Sequence, residues 1–219
     1  MTSVGAGPAV RTVYWIRQVH GATVLAVPSA GPHAAPRTVP GRPVEPVLAG
    51  TGDALVAVAP SVALAVLTAD CASVALGSPE GIFAAVHAGW RGLAAGVIAG
   101  AVGAMRSGGA TEVVGALGPC IHAECYEFAE DDLAGVAAVL GTRARGRTRE
   151  GNPALDIPAA VSSALVSCGA AEVAGLDRCT ACAGGYFSHR RRADVGRQAL
   201  LVWSGDSRTA AAPSGPGFR

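Results

Sequence analysis

Residues 62–92 read VALAVLTADCASVALGSPEGIFAAVHAGWRG. Val62 to Leu67 is apolar throughout, as a strand covered on both faces should be. Asp70-Cys71 interrupts it. Val74 to Leu76 and Ile82 to Val86 form two further strands around the turn Gly77-Ser78-Pro79-Glu80-Gly81. His87 closes the last of them, and Gly89-Trp90-Arg91-Gly92 opens a helix. Cys71 and His87 thus each stand at the carboxyl end of an apolar run, where side chains leave the core and face a cleft. A thiolate beside an imidazole suits a transition metal, zinc above all. A third ligand must come from elsewhere, and His20 in Gln18-Val19-His20-Gly21 is the candidate.

Three protein ligands leave one position open for water or substrate, the pattern of a catalytic zinc, which lowers the pKa of its water to about 7. The same residues support two other readings. Cys71 can act as a nucleophile with His87 or His20 as base, or the cysteine and histidine can be ordinary core side chains. Asp70 can orient a ligand or act as a base.

Downstream, the glycines of His87-Ala88-Gly89-Trp90-Arg91-Gly92 allow close backbone approach to a ligand. The first amides of the helix, with Arg91, favour an anion such as phosphate. Leu93 to Met105 has apolar or small residues on every face and ends at Gly108-Gly109, as a buried helix crossing between strands would. Val113 to Leu117 is the strand it reaches. Asp131 to Leu140 is a helix with an acidic first turn, and Gly141 to Asn152 an Arg-rich loop. Asp156 caps a helix with Pro158 in its first turn and Gly169 beyond its end. Glu172 to Gly175 and Gln198 to Trp203 are the last strands. Upstream, Val13 to Ile16 and Thr23 to Val27 flank His20 as strand–turn–strand. Pro28 to Gly52 reads as a loop, and Ala54 to Ala59 as another buried strand.

Phe187-Ser188-His189-Arg190-Arg191-Arg192 is the densest basic cluster. Ser188, Arg190 and Arg191 are candidates to reach a small anionic substrate. Cys179 and Cys182 have CxxC spacing, and Cys120 and Cys125 make a looser pair. Four such cysteines could hold a structural zinc, but the CxxxxC spacing is poor and no thioredoxin-like unit surrounds the CxxC.

Composition narrows the classes. At 219 residues, 50% hydrophobic and 15% charged, the chain can bury a substantial core as a single domain over residues 1–203. A tail at 204–219, rich in Ser, Gly, Pro and Ala, is expected to be disordered. A net charge of +1 gives no bulk attraction to nucleic acid or an anionic membrane. All 17 basic residues are arginine, so arginine counts alone say little about anions. No run spans a bilayer, no secretory leader begins the sequence, and six scattered cysteines do not form a disulfide framework. A reducing cytoplasm is the expected compartment.

Several separated motifs then coincide in order: Gln18-Val19-His20-Gly21, Gly52-Asp53-Ala54-Leu55, Thr68-Ala69-Asp70-Cys71, His87 to Gly92, Gly118-Pro119-Cys120-Ile121, Cys125-Tyr126-Glu127 and Phe187 to Arg191. With them the chain resembles the YfiH/YlmD family, which is also called the laccase-domain or multicopper polyphenol oxidase family, purine nucleoside phosphorylase, and peptidoglycan editing factor. The resemblance implies one α/β domain with mixed sheets in an α/β/β/α layered sandwich. It implies a zinc or copper site at His20, Cys71 and His87. It also implies phosphate-dependent cleavage of adenosine, inosine and methylthioadenosine, with adenosine deamination, so that a purine nucleoside and inorganic phosphate are the expected substrates. Copper-dependent phenol oxidation, hydrolytic editing of a cell-wall precursor, and a degenerate nucleoside-binding role are the alternatives. Family members usually carry a segment resembling FSTRxGGVSxGPYxSLNLG before QVHG, and this sequence has none, which implies a reduced pocket wall. A proline usual near Ser73 is absent, and His189 replaces a tyrosine.

Overall fold

The computed structural model describes residues 10, 12–27, 46–58, 61–173 and 175–204. The proposed tail therefore lies outside the described residues apart from Ser204. The strands are β1 (Thr12–Arg17), β2 (Val24–Ala26), β3 (Val47–Thr51), β4 (Ala54–Ala57), β5 (Val62–Thr68), β6 (Ala72–Gly77) and β7 (Phe83–Ala88). They continue with β8 (Val114–Leu117), β9 (Arg145–Arg147), β10 (Pro153–Leu155), β11 (Ala171–Glu172) and β12 (Gln198–Trp203). The helices are α1 (Trp90–Ala94), α2 (Val97–Ser107), α3 (Glu130–Leu140), α4 (Ile157–Ser167) and α5 (His189–Arg192).

Two mixed sheets organise the molecule. One has the order β12-β5-β1-β3 and the other β11-β8-β6-β7-β4-β2, with β9 and β10 as a separate hairpin. Strand alternation explains the layers, because successive side chains point to opposite faces. Along β4 and β7, Leu55, Ala57, Phe83 and Ala85 join Ile16, Val62, Leu64 and Val66 in a core between the sheets. Their alternates Ala54, Val56, Ala84 and Val86 pack with Val97, Ile98, Ala101, Val102 and Met105 of α2 and Leu165 of α4. The central strands β4, β6 and β7 are thus covered on both faces, which is why they read as continuous apolar runs.

Several expectations need correction. The strands flanking His20 do not form one hairpin: β1 lies in the four-stranded sheet and β2 in the six-stranded one. The chain changes sheets at His20, so the turn sits over the sandwich edge. The supposed loop Pro28 to Gly52 contains β3, which pairs parallel with β1 across an irregularity at Trp15/Ile16. It is a largely exposed edge strand with a glycine inside it, and so lacks the buried pattern that marks β4; residues 28–45 lie outside the described residues. The helix expected over Leu93 to Met105 is two helices, α1 and α2, parted at Gly96 with φ +81°. The Arg-rich loop after Gly141 holds a 3-10 turn and β9, which pairs antiparallel with β10. The crossover is as expected: β7 reaches β8 through α1 and α2, with β6 lying between the two strands.

Candidate metal centre

The site begins with three chain reversals at one edge of the sandwich. β1 and β5 run parallel, so the turn after Arg17 and the turn after Thr68 emerge side by side. In the other sheet β6 and β7 are antiparallel, with Ser73 opposite His87 and Ala72 opposite Ala88. Cys71, one residue before β6, therefore meets the end of β7. The result is that one ligand atom each of His20, Cys71 and His87 lies within 4.8 Å of the others. His87 is buried, Cys71 half-buried and His20 exposed.

Asp53 holds this arrangement together, and sequence reading gave it no role. Its Oδ1 accepts the amides of Val19 and His20 at 3.1 and 2.9 Å, and Oδ2 that of Gly21 at 2.7 Å. Three successive N–H groups around one carboxylate make a nest, which keeps His20 at φ +60°, a conformation a non-glycine residue seldom adopts. Oδ1 also lies 2.9 Å from His87 Nδ1, and the Asp53 carbonyl takes the His87 amide at 2.8 Å. With Nδ1 donating to Asp53, Nε2 of His87 is the acceptor left for a ligand, the usual carboxylate–histidine pairing behind a metal. The available signal was an Asp placed immediately before the all-apolar run of β4, in Gly52-Asp53-Ala54-Leu55.

The electrostatics favour a neutral imidazole and resist a thiolate. Burial pushes the His87 imidazole below its ordinary pKa, with Asp53 opposing. Burial and the neighbouring Asp70 push the Cys71 thiol up to about 11. A cation between the sulfur and the imidazoles would reverse that pressure on the thiol. The donor set fits zinc: bonds of about 2.0–2.3 Å put ligand atoms roughly 3.3–3.8 Å apart, inside the 4.8 Å within which the three ligand atoms lie. Gly89 lies against the trio, since a Cβ there would sit 3.0 Å from His20 Cδ2 and 3.1 Å from Cys71 Sγ.

The other candidate residues fall in different places. Asp70 is buried at φ +99°, accepting Thr180 Oγ1 at 2.7 Å and the Arg190 amide at 2.6 Å. Both its oxygens are engaged, so it ties segments together and is not placed as a free base. Ser188 is buried and caps α5 by accepting the Arg191 amide at 3.2 Å. Arg190 reaches the Glu127 carbonyl at 2.6 Å and lies 5.2 Å over the Tyr126 ring. Arg91 stacks on Trp90 at 4.3 Å, and α1, at five residues, is too short to focus an anion.

A cavity of about 650 Å³ opens over the trio, lined among others by Trp15, Arg17, Tyr126, His189, Arg190 and Arg197. Arg91 and Arg191 are outside its lining, whereas Arg197, which follows the basic cluster, and Arg17, which sequence reading passed over, are in it. Burial holds the Tyr126 phenol up at about 12, hence protonated.

Among known proteins, the profile of the family described as multi-copper polyphenol oxidoreductase laccase matches residues 2–205. A purine nucleoside phosphorylase of Streptomyces coelicolor is 41% identical over 204 residues, 92% of this chain and 78% of the relative. One from Mycobacterium tuberculosis is 37% identical over 194 residues, 87% and 72% of the two chains. A Neisseria meningitidis crystal structure superposes with TM-score 0.70 at 31% identity, over 87% of this chain and 74% of that one. YlmD from Geobacillus stearothermophilus gives 0.67 at 28% identity, over 85% and 72%.

Proposed function

This chain belongs to the multi-copper polyphenol oxidoreductase laccase family, and from that membership we propose that it is a zinc-dependent purine nucleoside phosphorylase acting on adenosine, inosine or methylthioadenosine, with adenosine deamination as a second activity. The observation that carries the reading is the cavity of about 650 Å³ whose floor is the His20–Cys71–His87 trio and whose wall carries Arg17, Arg190 and Arg197. It pairs a metal-competent donor set with positive charge and aromatic surface. Relatives named purine nucleoside phosphorylase at 34–41% identity support the substrate class.

In phosphorolysis a phosphate oxygen bonds to the ribose anomeric carbon as the bond to the purine nitrogen breaks, releasing the base and ribose-1-phosphate. Arg17 and Arg197 would hold the phosphate by charge-assisted hydrogen bonds. Trp15 and Tyr126 offer flat apolar surface for the purine, and the protonated Tyr126 phenol can donate to an acceptor on the leaving base. His20, Cys71 and His87 would hold zinc, which would supply Lewis-acid chemistry there. Asp53 keeps His87 in the tautomer that leaves Nε2 free. Copper also suits two imidazoles and a thiolate, and the family's description keeps phenol oxidation as the second reading. Among the described residues only one histidine-bearing cluster exists, which favours the nucleoside reading over a chemistry needing several coppers. Six free cysteines fit a reducing compartment such as the cytoplasm, and no helix among the described residues is long and apolar enough to cross a membrane.

The test is adenosine turnover with and without phosphate, with metal content, in wild type and His87→Ala. Phosphate-dependent adenine and ribose-1-phosphate, lost together with the metal in the variant, is the expected result. Inosine without phosphate assigns deamination alone. Full zinc with neither product, or phenol oxidation only after copper loading, overturns the proposal.

A further inference from the structure

A second set of donors converges away from the trio. Glu124, Cys125, Cys179 and Cys182 each present one ligand atom, all within 4.8 Å of one another. Two come from the 3-10 turn Ala123–Cys125, and two from a turn closed by the Ala183 amide on the Cys179 carbonyl at 2.9 Å. The two segments run side by side through a bridge between Cys120 and Cys179. Cys182 Sγ lies 3.6 Å from Glu124 Oε1, and the His122 amide donates to Cys179 Sγ at 3.4 Å. An N–H donor aimed at a cysteine sulfur is what supports a metal-bound thiolate from its outer side. Cys120, which spacing paired with Cys125, is instead fully buried in the helix-side core, and a carboxylate takes its place.

We propose that Glu124, Cys125, Cys179 and Cys182 form a second, structural metal site for one zinc ion. Three sulfurs and one oxygen complete a tetrahedron, whose edges at Zn–S bonds of about 2.3 Å are roughly 3.8 Å, about one ångström inside the present limit. With four protein donors no position is left for substrate, unlike the three-donor trio. Cys179 is buried and Cys182 exposed, which gives the ion an entry side. On binding, the three thiols release their protons to solvent and the sulfurs form the metal bonds.

The site has work to do in the fold. Between β11 and α5 the described residues form no regular element, and the CxxC turn lies midway along the segment. Thr180, between the two cysteines, donates to Asp70, and Asp70 accepts the amide of Arg190. An ion at Cys179 and Cys182 thereby steadies the cavity wall next to Cys71. These four donors do not depend on which reaction the trio supports.

The experiment is metal analysis of the full chain purified under reductant, followed by cobalt substitution. Wild type should hold two zinc ions, Cys182→Ser one and His87→Ala one. Cobalt in His87→Ala should give sulfur-to-metal absorbance roughly threefold that in Cys182→Ser, in proportion to three thiolates against one. Glu124→Gln, which keeps all three sulfurs, should retain the ion with weakened affinity and guards against a Cys182 variant that folds poorly. One ion lost in Cys182→Ser but kept in His87→Ala supports this site and removes the trio's metal. Two ions retained in Cys182→Ser, one ion lost only in His87→Ala, or an oxidised pair among Cys125, Cys179 and Cys182 overturns it.

Discussion

The carboxylate of Asp53 decides more than any single ligand does. It is fully buried and accepts three backbone amides and the His87 imidazole. Asp53→Ala should leave those donors unpaired, lowering stability by about 2–4 kcal/mol and zinc affinity by about 10–100-fold. Denaturation of the metal-free protein and zinc titration read the two effects separately; unchanged affinity would contradict the orienting role. Proton competition gives a second prediction. The Cys71 thiol, held up at about 11, must lose its proton to bind a metal. Zinc affinity of the trio, read in Cys182→Ser so that it is the site that loads, should therefore rise about tenfold per pH unit from pH 7 to 9. His87, pushed below its ordinary pKa by burial, is already neutral there, so it adds to metal loss only when the pH falls well under the usual imidazole range. A flat profile from pH 7 to 9 would remove Cys71 from the ligand set.

Helix ends show how much local chemistry can be read and where it stops. Asp156 caps α4 by accepting the Ala159 amide at 2.9 Å, and the sequence announces this with Asp followed by Pro158. Asp156→Ala should cost about 1 kcal/mol by denaturation while leaving metal content at the wild-type level. The break between α1 and α2 is not announced. Gly96 stands in the left-handed region at φ +81° with open space around it, so Gly96→Ala should cost about 1 kcal/mol through backbone strain alone. A neutral or stabilising result would show that the two helices can join into the single helix that the residue pattern suggests.

For the molecule as a whole, the cavity draws on remote segments. Trp15 and Arg17 come from β1, Tyr126 from the stretch before α3, and His189, Arg190 and Arg197 from the end of the chain. Arg17→Ala should raise the KM for phosphate by roughly 10–100-fold, the loss of a charge-assisted hydrogen bond. Arg91→Ala, outside the cavity and stacked on Trp90, should change it little. Equal effects from the two variants would contradict the phosphate-holding role proposed for Arg17.

What the sequence by itself determined is local. Continuous apolar runs over β4, β5 and β7 marked strands buried on both faces. Cysteine and histidine at their ends marked side chains that leave the core, and the Gly89 segment marked a close approach. Those signals lie within a few residues of one another because pleat, cap and turn are short-range physics. Only the tertiary structure decided that β1 and β2 belong to different sheets, which brings His20 over the sandwich edge. It alone made Asp53 the support of two ligands, put Arg17 and Arg197 in the cavity wall in place of Arg91, and exchanged Cys120 for Glu124 in the sulfur cluster. Each of these depends on which distant segments pair and in what register, and pairing is set by burial summed over whole sheets, which no local window of residues contains.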